Sequence, residues 1–582
     1  MAGHGPQSLA VLGKHLLAPT APAGNAAGRG FRHLLAGDPR FRPFHYDGRP
    51  VDLDDAAQLK ALRATIGRLS AMLERPPTAA EAKFFEDPTD PTDELNNTKV
   101  PAGYTYLLQL VAHDLVQSAA SLSMVGDGRL ALHNNRTQSL ALQTLYGDGP
   151  AGLPLIYRQA SPPVAGDEAQ TSAYLRLGSM QSGDQKCPFR DLARINIASS
   201  QEEPSAGLPD VVIADIRNDD HAILSQLTTV FHLFHNGIVA LLEQASPADA
   251  VPDGGDPAFG RYALARCITT LVYREIIRRD LLPLILHPAV AEAYKDSDAP
   301  LIEPFDGRIP LEFSYGAFRL GHAMVRPRYL INGNEASKFS LQDILDQTSK
   351  RRPQAMPFTF DWAVAWSLFF DMGEVQPNLS RRIRPFYSTQ FLHPGVFPAF
   401  DETDRIGLAY RDMLSAAFAG LWSVPALVER LRDMPRLGRF FQESWVADRE
   451  KREAALSAWL NESMPPGDLL PSGDVEALVK DPPLPFFLLF EAWHDPASEG
   501  RRFGPVASGI VADVIIGALA QERLVADEGR TGLNEIVTRL VGGRIPPDRL
   551  NSIAGIRTMA DMIKATARMH GLDEAGTTPA FL

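Results

Sequence analysis

From Tyr104 onward, apolar residues recur with a period near 3.6 in most segments, and alternating strand patterns are few and short. Sustained over several hundred residues, that pattern leaves a mainly α architecture with few short strands. The spacing predicts helices over Leu59–Leu73, Tyr104–Leu122, Asp220–Gln244, Phe259–Leu286, Leu311–Met324, Asp361–Phe369, Ile406–Leu421 and Pro505–Glu522. No internal repeat or second compositional regime divides the chain. One large helical domain over residues 96–582 is therefore expected, after an N-terminal extension, 1–95, that is partly flexible and carries one surface helix. A single helical core of this size is commonly organised around a cofactor held between helices.

Composition narrows the function. The chain has 57 Lys and Arg against 70 Asp and Glu, a net charge of −13, so a general nucleic-acid binder is excluded. Its two cysteines, Cys187 and Cys267, form no C-x-x-C pair and are expected as buried thiols rather than a bridge. The start, Met1-Ala-Gly-His, lacks the basic and apolar regions of a Sec-type signal. The apolar runs Phe358–Phe370 and Leu484–Phe490 are too short to span a bilayer. A cytoplasmic protein, or one exported by a signal-less route, is the expectation; oligomeric state is not legible.

Generic catalytic motifs are mostly missing. Gly147-Asp-Gly149-Pro-Ala-Gly152 fits G-x-G-x-x-G, but Pro150 lies inside it and no helix signal follows, so it reads as a turn. Three helical segments remain. Gln109 and His113, at i and i+4, project from one face of an otherwise apolar helix. Two such polar groups need partners, since burying them unpaired costs roughly 1–3 kcal/mol each. Asp215-Ile-Arg217-Asn-Asp-Asp220-His221 supplies helix-capping acids and a sideways Arg217. Arg319 and His322, at i and i+3, lie beside Gly316 and Gly321. Small residues beside a helical His let a flat group approach, haem iron is often bound by one His, and a nearby Arg can pair with a propionate.

Together these segments resemble the animal-type haem peroxidase (peroxidase–cyclooxygenase) superfamily, in its bacterial branch. The resemblance runs from about Val100 to Leu519, with several motifs in family order. Val100-Pro-Ala-Gly-Tyr-Thr-Tyr-Leu-Leu-Gln109-Leu-Val-Ala-His113-Asp114 is similar to its distal helix, and Leu145-Tyr146-Gly147 to its Tyr-Gly loop. Asp215-Ile-Arg217-Asn-Asp-Asp220 and Phe231-His-Leu-Phe-His235-Asn236 match the distal arginine segment and its following helix. Arg274 to Pro283, Glu312 to His322 and Arg502 to Asp513 match the later helices.

The resemblance implies a helical domain built around a buried haem b and the use of H2O2 to oxidise small organic donors, or halides, through a ferryl intermediate. It makes His322 the axial iron ligand, His113 the distal base, Arg217 the stabiliser of developing charge, Gln109 the holder of peroxide or water, and Arg319 a propionate clamp. Departures from the pattern matter equally. Ala112 and the short Asp220 stand where ester-forming carboxylates belong, so the haem is expected to be non-covalent. Asp114 and Thr137 match calcium ligands, but Ala141 and Gln143 do not; Asp114 remains as a residual ligand and tight calcium binding is not expected. Asp412 replaces the Asn that orients the proximal His, and Ser415 and Ala417 replace arginines. The oxygenase relatives carry a Tyr three residues before the proximal His, where this chain has Arg319. The alternatives are a haem-dependent fatty-acid dioxygenase and a degenerate haem-binding scaffold.

Overall fold

The computed structural model describes residues 30–77, 87–117, 134–158, 173–181, 190–196, 208–245, 257–295, 297–333, 337–373, 375–399, 404–462, 470–543 and 545–571. Its architecture is mainly α, and every strand described lies in a two-stranded antiparallel ladder. Eight helices form the main frame: α1 (Ala56–Leu73), α2 (Gly103–Leu115), α3 (Ala222–Ala245), α4 (Pro257–Ile276), α5 (Leu408–Phe418), α6 (Leu484–His494), α7 (Pro505–Gln521) and α8 (Met559–Met569). Helix α7 is buried throughout from Pro505 to Leu519, as a helix apolar on all sides must be. It packs against α6 and against the segment that carries His322. On the other side α3 packs between α2, α4 and α8.

Four expected helices end or break for identifiable reasons. The one expected over Tyr104–Leu122 stops at Leu115, where Val116 turns extended; residues 118–133 lie outside the described residues, as does Cys187. Helix α4 runs into a π-helical turn, Ile277–Leu281, before Leu282–Ile285. That turn presents Asp280, which accepts the Tyr104 hydroxyl at 2.8 Å and the Met559 N–H at 2.9 Å, tying α2 and α8 to one carboxylate. The stretch Leu311–Met324 splits into Leu311–Ser314 and a 3₁₀ helix, Ala317–Met324. Gly316 sits at the break, where a Cβ would meet the Glu312 carbonyl at 2.3 Å. Asp361–Phe369 is not a helix but two 3₁₀ turns, Phe360–Trp362 and Trp366–Leu368, joined by extended backbone. Every residue from Trp362 to Phe369 is buried, and a continuous apolar run does not reveal its own period.

Two ladders hold the site's flanks. β1 (Asn96–Pro101) leads into α2 and pairs with β4 (Leu379–Arg381), while β2 (Arg328–Leu330) follows the 3₁₀ helix and pairs with β3 (Lys338–Ser340). Gly103, the first residue of α2, fits against Phe369 and Phe370, where a Cβ would meet the Phe369 carbonyl at 2.4 Å. From residue 30 the segment expected as an extension shares the main core: Leu34, Leu62, Ile66 and Leu69 belong to the same buried cluster as Leu107 and Leu414. Asp55 caps α1, accepting N–H groups of Ala57 and Gln58, and the apolar face of α1 lies on α5.

The buried Glu312 fastens residues 30–35 beneath the 3₁₀ helix. It accepts His33 Nδ1–H at 2.9 Å, the Leu34 N–H at 2.7 Å and the Trp422 N–H at 3.2 Å. Removing a buried acceptor leaves its donors desolvated and unmade. Glu312→Ala is therefore expected to lower stability by about 2–4 kcal/mol, read as a shift of the urea-unfolding midpoint by tryptophan fluorescence. Glu312→Gln, which keeps one acceptor, should lose less.

Candidate active site

Two of the three segments singled out in sequence face each other across one cavity of about 430 Å³. One wall is α2, whose Leu107, Leu110 and Leu115 are buried in the core while Gln109 and His113 line the cavity. The opposite wall is the 3₁₀ helix, which contributes Arg319, Gly321 and His322. Arg217 and Asp220 complete one side.

On the α2 side, His113 donates Nδ1–H to Asn218 Oδ1 at 3.0 Å. The amide of Asn218 is fixed by giving its own N–H groups to the Thr144 carbonyl and hydroxyl. This sets the tautomer, leaving Nε2 of His113 with its lone pair. Burial, and then the charge of Arg217, push the imidazole pKa down to about 3, so the ring is neutral over the physiological range. Arg217 donates to both oxygens of Asp215 (3.0 and 2.6 Å), and to the carbonyls of Val116 (2.8 Å) and His113 (3.0 Å). Burial would raise the Asp215 carboxyl, but Arg217 and Arg136 hold it well below the usual range. Asp220 goes the other way: burial pushes its carboxyl up to about 6 against the charges of Arg351 and Arg217.

Sequence patterning assigned no role to His221. It caps the start of α3 by accepting the Leu224 N–H and donates Nε2–H to Gln109 Oε1 at 2.8 Å. That bond turns the Gln109 amide so that its NH₂ is the group left to donate. The available signal was a histidine immediately after the capping acids of a long helix.

On the 3₁₀ side, His322 donates Nδ1–H to Asp412 Oδ2 at 2.7 Å. Asp412, buried on α5, also accepts Arg319 Nη1 at 3.1 Å and the Tyr387 hydroxyl at 3.0 Å. Burial raises its pKa, yet His322 and Arg319 bring it below the ordinary value. Arg319 gives Nε–H to the Ser314 carbonyl at 3.0 Å, so its Nη2 is the part without a hydrogen-bond partner among the described residues. Ser415 and Ala417 are buried on α5 and do not line the cavity.

A sequence model of the animal haem peroxidase family matches residues 165–369, a span that holds Arg217, Asp220, Arg319 and His322. The match covers 205 of the 582 residues, so it is that stretch that is similar to the family. Mouse myeloperoxidase is 30% identical over 123 residues, which is 21% of this chain and only 16% of that protein's length. Peroxidase A of Dictyostelium discoideum shares the fold with a TM-score of 0.51 at 12% identity, covering 96% of this chain and all of that one. Fatty acid alpha-dioxygenase from Oryza sativa gives 0.50 at 12% identity, covering 99% and 92%. The enzyme from Arabidopsis thaliana gives 0.50 at 14%, covering 93% and 84%.

The cavity has the residues to fit a haem. Nε2 of His322 has no partner among the described residues, and an added Cβ on the adjacent Gly321 would meet nothing within 4 Å. An acceptor nitrogen beside open space is what a flat metal-bearing ring requires.

The calcium loop of the resemblance does not fit its ion. Asp114 accepts the Leu142 and Thr144 N–H groups at 2.8 and 3.2 Å. Gln143 takes the Thr137 N–H on Oε1 and gives Nε2–H to the Thr137 hydroxyl. Arg274 reaches in from α4 to the carbonyls of Leu140 (2.7 Å) and Ser139 (3.4 Å). Leu140 and Leu142 are both left-handed, with φ of 53° and 54°, a strain that such bonds must hold. Dialysis against EDTA is expected to move the melting temperature by less than about 1 °C, whereas Gln143→Ala, which strips the amide from the strained loop, should lower it by several degrees. Differential scanning calorimetry reads both.

Proposed function

We propose that this chain is a haem-dependent peroxidase that uses H2O2 to oxidise small organic donors, or halides, at a non-covalently held haem b. The observation that carries the reading is the pair of oppositely placed imidazoles, His113 and His322, each with Nδ1 committed behind it and Nε2 left for the cavity. Bound haem would supply an iron centre that is oxidised by two electrons as the peroxide O–O bond breaks. The residues around it do the proton work. Neutral His113 takes the proton from the near peroxide oxygen and returns it to the far one, so that water leaves. Arg217 offsets the negative charge that develops meanwhile. Gln109, oriented by His221, donates its amide to the peroxide or to the water it displaces.

His322 would hold the haem iron through Nε2. Asp412 makes the imidazole a stronger donor by accepting its N–H, and Nη2 of Arg319 is available to a propionate. Arg319 also favours peroxidase over dioxygenase chemistry: it stands where the oxygenase relatives carry a tyrosine, and it is held to Asp412 by an ion pair of 3.1 Å.

The test is an absorption spectrum of the haem-loaded protein before and after one equivalent of H2O2. A Soret band that shifts within seconds and returns on adding a phenol supports the reading; a band that only bleaches, or none, defeats it. His113→Ala should keep the haem and react with peroxide about 10²–10⁴-fold more slowly in stopped flow. With its pKa near 3, His113 is unprotonated across pH 5–8, so the wild-type rate constant should stay flat over that range and fall only in stronger acid. Asp412→Asn should retain haem but raise its reduction potential in a redox titration, because a neutral amide no longer strengthens the His322 donor.

A further inference from the structure

A second cavity, of about 260 Å³, opens on the far side of the 3₁₀ helix. In a chain of net charge −13, its lining holds five arginines, Arg75, Arg328, Arg381, Arg382 and Arg384, and no Asp or Glu among the described residues. They come from separate places: Arg75 follows α1, Arg328 opens β2, Arg381 ends β4, and Arg382 and Arg384 lie in the segment after it. Two of the guanidiniums flank one ring, with Arg75 4.4 Å and Arg384 4.7 Å from the centre of Phe386. Partners reach the group from outside the lining: Asp93 lies 3.0 Å from Arg381 and Glu499 lies 3.7 Å from Arg382, and Arg75 and Arg384 are partnered as well. Arg328 is exposed and makes no ion pair among the described residues. Burial, and then the charges of Arg326 and Arg384, push the Arg381 pKa down to about 9, although Asp93 opposes them. Ser388 and Thr389 add hydroxyl donors to the rim.

Guanidinium forks match the paired oxygens of a phosphate, and guanidiniums stacked on an aromatic ring offer a platform for a planar body. We propose that this cavity binds a small phosphate-bearing anion. Its position gives the ligand a line to the candidate active site: Val325 belongs to the walls of both cavities. Tyr387 lines the arginine cavity while donating to the Asp412 that holds His322. The site is built wholly from this chain's side chains and does not depend on the haem reading.

Isothermal titration calorimetry of the full chain with pyrophosphate at low salt tests it, with and without haem loaded. Saturable one-site binding is expected in both forms, weakened at least tenfold by Arg328→Gln and by Arg384→Gln, and weakened again at 0.3 M NaCl. Arg328 is on the surface, so its variant should keep the wild-type circular dichroism even if Arg384→Gln does not. Arg502→Gln, in a separate basic groove with Arg278 and Arg523, should bind as the wild type does. Absence of saturable binding, equal binding in the Arg328 and Arg384 variants, or loss in Arg502→Gln would overturn the proposal. So would binding that haem loading abolishes, because the arginines would then serve the carboxylates of the haem itself.

Discussion

A carboxylate without water must be surrounded by donors or give up its charge, and Asp412 is such a carboxylate. Its three donors, the imidazole of His322, the guanidinium of Arg319 and the hydroxyl of Tyr387, come from two different segments. Much of the architecture serves to bring them there. Helix α1 lays its apolar face on α5, and Glu74 at the end of α1 accepts the Ala409 N–H in the first turn of α5, which fixes where Asp412 points. From the other direction Glu312 anchors residues 30–35 under the 3₁₀ helix. His322 is thus held by a chain of buried carboxylates, each bonded to main-chain or side-chain donors.

The two sides of the cavity solve opposite electrostatic problems. On the α2 side a histidine is kept neutral by burial and by the cation of Arg217, which Asp215 in turn holds in place. On the 3₁₀ side a histidine gives its Nδ1–H to a carboxylate, Asp412, that its neighbours hold below its ordinary pKa. The proposed roles, a base that accepts a proton and a ligand that donates electron density, call for contrary settings, and the difference lies in one second residue each: an amide, Asn218, or an acid, Asp412.

Periodicity made the helical class and the i, i+4 pairing of Gln109 with His113 legible, because both are local. The roles of Asn218, His221 and Tyr387 were not legible, since each depends on where a distant helix ends or which element packs behind. Asp361–Phe369 misled for a different reason: buried on every side beyond its first residue, it shows no preferred face. The loop around Leu140 shows the sharpest limit. Its missing oxygen ligands could be read from Ala141 and Gln143, but the cation that bonds its carbonyls, Arg274, is 134 residues further along.

The tightened helix over Ala317–Met324 has its own consequence. With three residues per turn, side chains at i and i+3 eclipse one another, whereas in an α-helix they are offset by roughly 60°. Arg319 and His322 are therefore stacked in register along one edge, and a single carboxylate can grip both. Relaxing the segment by one α-helical turn would rotate the guanidinium away from that edge and leave Asp412 to the imidazole and the phenol. The winding of eight residues, rather than any one side chain, decides how much positive charge shares the acid with the histidine.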